Sequence, residues 1–171
     1  SHGTADYSTF PLGDSDGSMQ TSGCGTYDYD NPESAAQETA YVPHIAEGVN
    51  KAAQNEFACV SGQEEGGVDY VLKNAAFIHG IGLTTADVGL MVADNASLVW
   101  SPRSNISLYG MTANVPLYDR LGALIALGSD WVPSGSMNLL RELVCADYFN
   151  SNFLHGYFSD ADLVAMVTQN A

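Results

Sequence analysis

Short apolar runs alternate with amphipathic stretches from Pro32 to the end of the chain. The apolar runs have the length of buried strands and cover 39–46, 75–79, 96–100 and 123–128. Apolar residues at helical spacing predict helices over 48–60, 84–93, 115–121, 136–149 and 159–167. Continuous apolar strands that alternate with amphipathic helices favour a parallel sheet covered by helices. The pattern therefore predicts an α/β fold whose strands end near Ile45, His79, Trp100 and Gly128.

The residues before Pro32 follow no such pattern. Positions 1–31 are rich in Gly, Ser, Thr and Asp and show no apolar periodicity, so we expect an irregular N-terminal segment there. The regular pattern defines one domain over 32–171, in which strand ends recur about every 29 residues, the length of a strand–helix unit. The phosphate-binding motifs G-x-G-x-x-G, after the first strand, and G-x-x-x-x-G-K-[ST] do not occur in this domain. Their absence argues against a nucleotide-binding version of the α/β fold.

Polar side chains that bind metals or move protons follow three of the four predicted strands. His44 closes the first strand and Glu47 follows it, His79 ends the second, and Asp130 comes directly after the last. Because the carboxyl ends of parallel strands meet at one edge, we expect these side chains to lie close together. Imidazole nitrogen and carboxylate oxygen are ligands of Zn²⁺ and Fe²⁺, so the set predicts one divalent metal ion. Glu47 would then carry a proton between the activated water and a leaving nitrogen.

Each of these residues also has a purely structural interpretation. The alternative for His44 and Asp130 is that they cap the helices that follow them. The alternative for Glu47 is a solvated surface carboxylate, and for His79 a buried histidine with no ligand.

The charge balance narrows the range of partners. The chain has 171 residues, with 20 Asp and Glu against 5 Lys and Arg, which gives a formal net charge of −15. Nucleic acids and anionic membranes require clustered cations, so we expect neither as a partner. No apolar run approaches the roughly 20 residues that a membrane span requires.

The cysteines give little guidance. Cys24, Cys59 and Cys145 are odd in number, far apart and without C-x-x-C spacing. This disfavours a disulfide framework and a zinc ribbon, so we expect small buried thiols and a cytoplasmic protein.

Four segments between Tyr41 and about Val144 follow one another in a specific order: His44-Ile-Ala-Glu47-Gly, Ile78-His79-Gly, Leu98-Val-Trp-Ser-Pro-Arg-Ser-Asn105-Ile-Ser-Leu-Tyr-Gly110 and Leu127-Gly-Ser-Asp130-Trp-Val-Pro-Ser-Gly-Ser-Met-Asn138-Leu-Leu. In these segments the chain resembles the amidohydrolase superfamily, in particular its cytosine deaminase-like and atrazine chlorohydrolase-like branch of metal-dependent hydrolases. The resemblance implies a TIM (β/α)8 barrel of which this chain holds the fifth to the eighth strands.

The same resemblance assigns roles to the strand-end residues. It implies that His44 and Asp130 bind the metal, that His79 binds the metal or holds the hydrolytic water, and that Glu47 shuttles the proton. Asp130 would also accept the proton of the water.

Three further residues would contact a small-molecule substrate. Arg103 and Asn105, in a loop after the seventh barrel strand, would touch its polar atoms, and Trp131 would face a flat or aromatic group.

The sequence departs from the family pattern in two ways. No His-x-His pair, which supplies two metal ligands in the family, occurs in the chain. Four strands of eight would also form only an open half-barrel with two free sheet edges, which favours self-association.

The family's two-metal branch uses a carboxylated lysine. Neither Lys51 nor Lys73 lies where the family places that lysine, which favours a single metal ion.

We therefore expect a metal-dependent hydrolase of non-peptide carbon–nitrogen bonds, acting on a cyclic amide or an aminated heterocycle. We expect a homo-oligomer, or completion by the missing barrel half. One alternative is a catalytically incompetent half-barrel that lacks the His-x-His ligands. The other is a small α/β binding domain whose motifs match by chance.

Overall fold

Five parallel strands form a single sheet in which the order of the strands follows the order of the chain. This computed structural model describes residues 5–25 and 27–171. The strands are β1 (Ala5–Ser8), β2 (Ala40–Ile45), β3 (Ala76–His79), β4 (Ser97–Trp100) and β5 (Ile125–Leu127). The helices are α1 (Pro32–Gln37), α2 (Lys51–Val60), α3 (Thr85–Ala93), α4 (Pro102–Tyr109), α5 (Val115–Leu121), α6 (Leu139–Phe153) and α7 (Asp160–Ala165).

The α/β class predicted from the hydrophobic pattern is confirmed. Strand order that follows chain order is the arrangement of (β/α) barrels, whereas doubly wound sheets change direction at a switch point. In the described part of the chain the sheet is open, with β1 and β5 at its edges. A closed barrel is therefore not seen in residues 5–25 and 27–171.

Aromatic side chains fill the space between the sheet and its helices. Phe57 of α2 packs edge-on against Phe77 of β3, with ring centroids 6.0 Å apart. Trp100 of β4 is fully buried and donates its indole N–H to the Thr112 hydroxyl over 2.7 Å. The Tyr118 hydroxyl of α5 donates to the Gly80 carbonyl over 2.7 Å. A Cβ atom at position 80 would lie 2.6 Å from that hydroxyl, so only glycine fits after β3.

The strand predicted least well is β1, which lies inside the segment expected to be irregular. It pairs in parallel with β2, from Ala5 opposite Ala40 to Ser8 opposite Pro43. Its four residues are mostly exposed, so they lack the apolar run by which the other strands are recognised. The expectation of an irregular segment was thus wrong for residues 5–8.

Helices α1 and α4 were also missed, and α4 replaces the loop expected over 101–105. Pro102 occupies the first helical turn of α4, and Gly110 ends the helix in a left-handed conformation with φ +66°. Proline near a helix start and glycine just past its end mark helix boundaries, so the sequence did contain this signal.

The expectation of three unpaired thiols was wrong, because Cys24 and Cys59 form a disulfide. The chain between β1 and α1 lies against α2, where the Asn55 amide donates to the Gly23 carbonyl over 2.7 Å. This contact brings two cysteines together that are 35 positions apart, while Cys145 stays unpaired. Disulfides persist mainly in oxidising compartments, so the cysteines no longer support a cytoplasmic location.

One further expectation concerns membranes. Among the described residues, no helix has both the length and the apolar character required to cross a bilayer.

Removing the disulfide should destabilise the protein markedly. The double variant C24A/C59A removes the covalent link between the segment around Cys24 and α2, and we expect the free energy of unfolding to fall by about 2–4 kcal/mol. Urea denaturation monitored by tryptophan fluorescence measures this change, with C145A as the matched control. Equal midpoints for wild type and C24A/C59A, or three free thiols in the unreduced protein, would contradict the pairing.

Candidate metal centre

His44, His79 and Asp130 come together at the carboxyl edge of the sheet. His44 lies in β2 opposite Ile78, His79 is the last residue of β3, and Asp130 follows β5. One ligand atom from each of the three lies within 4.8 Å of the others. Because neighbouring parallel strands run in the same direction, their last residues lie at the same edge of the sheet. The structure thus brings together the residues that the sequence analysis named as metal ligands.

His44 is held in one orientation by β1. Its Nδ1 lies 3.1 Å from the Ser8 carbonyl oxygen, which can only accept a hydrogen bond. Nδ1 therefore carries the hydrogen, and the lone pair is on Nε2. The ring of Tyr7 packs edge-on against the His44 ring at 5.3 Å. Burial lowers the pKa of His44, although the Ser8 bond opposes this, and so favours the neutral ring that a metal requires.

His79 is oriented in the same way by a side chain of α4. Its Nδ1 lies 3.0 Å from the Asn105 Oδ1, while the Asn105 amide nitrogen donates to Thr112. The amide oxygen accepts the Nδ1 hydrogen, which again leaves the lone pair on Nε2. His79 is 1% exposed, and among the described residues its Nε2 is buried without a hydrogen-bond partner. A buried polar atom without a partner is rare in native structures and calls for an explanation.

The backbone is strained at the strand ends that form this edge. Ala46, His79 and Asp130 have φ values of 54°, 74° and 54°, in the left-handed region that non-glycine residues avoid. Each such residue costs about 1–3 kcal/mol, and strain of this kind clusters at functional sites. The fold therefore stabilises an unfavourable backbone at two of the three residues that meet at this edge, His79 and Asp130, and at Ala46 beside His44.

Glu47 lies beside the three residues. Its Oε2 is 3.4 Å from the His79 Nε2, and its side chain is 31% exposed. Asp130 Oδ2 is 3.9 Å from the same nitrogen. Burial raises the pKa of the Tyr109 phenol, and the charge of Glu47 together with a hydrogen bond to it raises that pKa further. Tyr109 is thus a neighbour of Glu47 that the sequence analysis did not assign to the site.

The three residues predicted to contact substrate are placed differently from one another. Trp131 is 69% exposed and lines a cavity of about 720 Å³ beside the strand ends. Asn105 is buried against His79, and Arg103 donates its side-chain Nε–H to the Ser136 hydroxyl over 2.9 Å. Of the three, only Trp131 is among the described residues that line the cavity. The cavity wall combines apolar, neutral polar and acidic side chains, which are Tyr7, Thr9, Phe10, His44, Glu47, Leu108, Ser129, Asp130, Trp131, Val132 and Ser134.

A second carboxyl group that the sequence analysis missed supports the loop after β2. Glu56 of α2 accepts a hydrogen bond from the strained Ala46 N–H over 2.9 Å. Burial raises the pKa of Glu56 to about 7, and the nearby charges of Asp14 and Glu47 contribute. The helical position of Glu56 gave no sign of this role, because a charged residue on a helix is normally solvated.

The fold is similar to that of several solved structures. The zinc-bound atrazine chlorohydrolase of Arthrobacter aurescens is 16% identical, with a TM-score of 0.64 over 83% of this chain and 34% of that chain. The zinc-bound adenosine deaminase of Xanthomonas campestris is 16% identical, with a TM-score of 0.66 over 97% of this chain and 37% of that chain. The guanine deaminase of E. coli is 19% identical, with a TM-score of 0.63 over 81% of this chain and 33% of that chain.

These likenesses concern the fold, because all three identities are low. This chain spans about a third of the length of the proteins it matches. No protein-family profile and no curated protein matches the sequence.

Glu56 should make stability depend on pH in a direction opposite to that of an ordinary carboxylate. The pKa of Glu56 is about 7 in the folded protein and 4.5 in the unfolded chain. The protonated carboxyl therefore contributes its full share to the free energy of unfolding below pH 4.5, and this share is lost as the pH rises through 7. E56Q keeps an acceptor for Ala46 but cannot ionise. From pH 5 to pH 8, we expect E56Q to gain on the order of 2 kcal/mol in unfolding free energy relative to wild type.

Urea denaturation at the two pH values measures this difference, and the exposed Glu64 provides the control variant E64Q. A Glu56 carboxyl carbon that titrates below pH 5 by NMR would contradict the assignment.

Proposed function

We propose that this chain holds a single divalent metal ion, zinc or iron, and belongs to a hydrolase of non-peptide carbon–nitrogen bonds in the amidohydrolase superfamily. The observation that carries the proposal is the buried Nε2 of His79, which has no hydrogen-bond partner among the described residues and faces His44 and Asp130. A metal ion would satisfy this nitrogen.

The residues fit such an ion in number and in the orientation of the two imidazole rings. The Nδ1 partners of both histidines leave the Nε2 lone pairs free, which is the common arrangement of metal-binding imidazoles. Two imidazoles and one carboxylate are three protein ligands. Catalytic zinc sites have three protein ligands and keep a fourth position open for water or substrate.

A metal ion held by His44, His79 and Asp130 would supply Lewis acidity that makes a water molecule acidic near neutral pH. Asp130 would accept one proton of the attacking water and orient the water toward the substrate carbon. Glu47 would carry the second proton of the water to the leaving nitrogen, a role for which its position near His79 and its partial exposure suit it. Tyr109 lies close enough to Glu47 for its phenol to donate a hydrogen bond to that carboxylate, and in the proposed mechanism this contact would orient Glu47.

The solved neighbours support this class of reaction. They include an adenosine deaminase and a guanine deaminase, and two of the three compared structures contain zinc. The motifs around His44, His79 and Asp130 resemble the same superfamily. A deaminase-like reaction on a cyclic amide or an aminated heterocycle is therefore our proposal.

The cavity supports a small, flat substrate. Trp131 offers an exposed indole face at the rim, against which a heterocycle would stack. The contacts of Asn105 and Arg103 favour a supporting role for both, in which they act on the substrate through His79 and through the loop after β5.

A second candidate function is that of a metal-binding half without turnover of its own. It is favoured by the two open sheet edges and by the three ligands that one half of a barrel contributes. In either case we propose that a second copy or the other barrel half completes the structure, because unpaired strand edges favour association.

Zinc binding should depend on the three predicted ligands. We expect H44N and D130N to weaken zinc affinity by about a hundredfold or more, because each removes one of few ligands. Competition with a chromophoric chelator measures the affinity, and H155N, which changes an exposed histidine, serves as the control. Equal affinities for wild type and H44N would exclude this site.

A substitution of Glu47 should lower turnover of the substrate without changing the affinity for zinc. E47Q keeps the shape of the side chain but carries no proton, so we expect unchanged zinc affinity and a loss of about 10²–10⁴ in turnover. Ammonia release from aminated heterocycles, with added zinc, measures turnover. Zinc binding without any turnover by the wild-type chain would favour the second candidate function, and full activity of E47Q would exclude the shuttle.

A further inference from the structure

We propose that Glu142 is a positioning residue for the metal centre: it fixes the first turn of α4, which in turn holds His79 and the loop of Asp130. This inference rests on the proposed function, because a residue can position metal ligands only if the site binds a metal. The contacts that carry it are all within the described chain.

Glu142 caps α4 from a different helix. Ser101, the residue before α4, makes no side-chain capping bond, whereas Asn50, Thr84 and Asn138 each cap their own helix. At α4 the Glu142 Oε1 accepts the Arg103 backbone N–H over 2.9 Å instead. A carboxylate there satisfies an unpaired N–H group and interacts favourably with the helix dipole.

The burial of Glu142 indicates a tertiary role. It is 0% exposed, on a helix whose next acid, Asp147, is exposed. A buried carboxylate is unfavourable unless it is hydrogen-bonded. The Glu142 Oε1 accepts the Arg103 N–H, whereas Oε2 has no hydrogen-bond partner among the described residues, so the bond to α4 is the contact that holds this carboxylate. Burial raises the pKa of Glu142, and Ser136 and Arg103 offset only part of that rise.

The fixed turn of α4 leads directly to His79. Asn105 is two residues beyond Arg103 in the same turn, and its Oδ1 is 3.0 Å from the His79 Nδ1. The partner of Nδ1 sets which nitrogen of the ring is free for a metal. If the first turn of α4 moved, Asn105 would move with it, and the orientation of the His79 ring and the nitrogen left free for a metal would change.

The same turn also holds the loop that carries Asp130. The Arg103 Nε donates to the Ser136 hydroxyl, and the Ser104 and Ser134 hydroxyls are 2.9 Å apart. Within the loop, the Ser136 N–H donates to the Ser129 carbonyl over 2.8 Å, next to Asp130. One buried carboxylate thus connects the supports of two proposed ligands that come from different strands.

The test compares E142M with E142Q. Both replacements match glutamate in size and helix propensity, but only glutamine keeps an oxygen acceptor for the Arg103 N–H. D147N, on the exposed face of α6, is the matched control. Two quantities are measured: the zinc affinity by chelator competition, and the ring ¹⁵N signals of His79 in the metal-free protein.

We expect E142M to weaken zinc binding by about tenfold or more and to shift the His79 ring signals toward mixed tautomers. E142Q and D147N should keep both quantities near the wild-type values. E142M with unchanged zinc affinity and ring signals would overturn the proposal, as would an E142Q variant as impaired as E142M.

Two controls keep the result decisive. If E142M does not fold, E142D takes its place: its side chain is one methylene shorter and cannot keep the 2.9 Å bond to the Arg103 N–H, so it must shift the same ring signals, and unchanged signals overturn the proposal. If the wild-type chain binds no zinc, the proposed function fails, but the His79 signals of the metal-free variants still decide the role of Glu142.

Discussion

The geometry of the candidate metal site depends on two hydrogen bonds to imidazole Nδ1 atoms. The Ser8 carbonyl holds His44 and the Asn105 amide oxygen holds His79, and both leave Nε2 facing Asp130. The two partners come from β1 and α4, on either side of the strands that carry the histidines. The site therefore needs an intact edge strand and a correctly started helix, although neither element supplies a ligand. Partners of this kind fix both the tautomer and the orientation of a metal-binding ring.

The carboxylates around the strand ends favour a cation there. Glu47 and Asp130 both lie within 4 Å of the His79 Nε2, in a chain with a formal net charge of −15. Burial raises the pKa of Glu56, and repulsion from the charges of Asp14 and Glu47 adds to that rise. Arg103 engages Ser136 and the cavity wall includes acids, so a divalent cation would supply the missing positive charge.

Much of the fold could be predicted from the sequence. Strands β2 to β5 and helices α3, α5 and α7 follow from apolar runs, helical spacing and caps such as Thr84, because those signals are local. The grouping of His44, His79 and Asp130 also follows, since parallel strands bring their ends to one edge. Strand β1 could not be found in this way, because an exposed four-residue strand is defined by its pairing with β2.

The sequence by itself thus determined the α/β class, the main strands and the residues that meet at their ends. Only the tertiary structure decided the partners of those residues: the Cys24–Cys59 disulfide, the Asn105 contact to His79, and the buried position of Glu142. Periodicity reports which face of an element is buried, within a window of about 18 residues. A contact between residues 26 or 39 positions apart depends on how whole elements pack, and no local pattern records it.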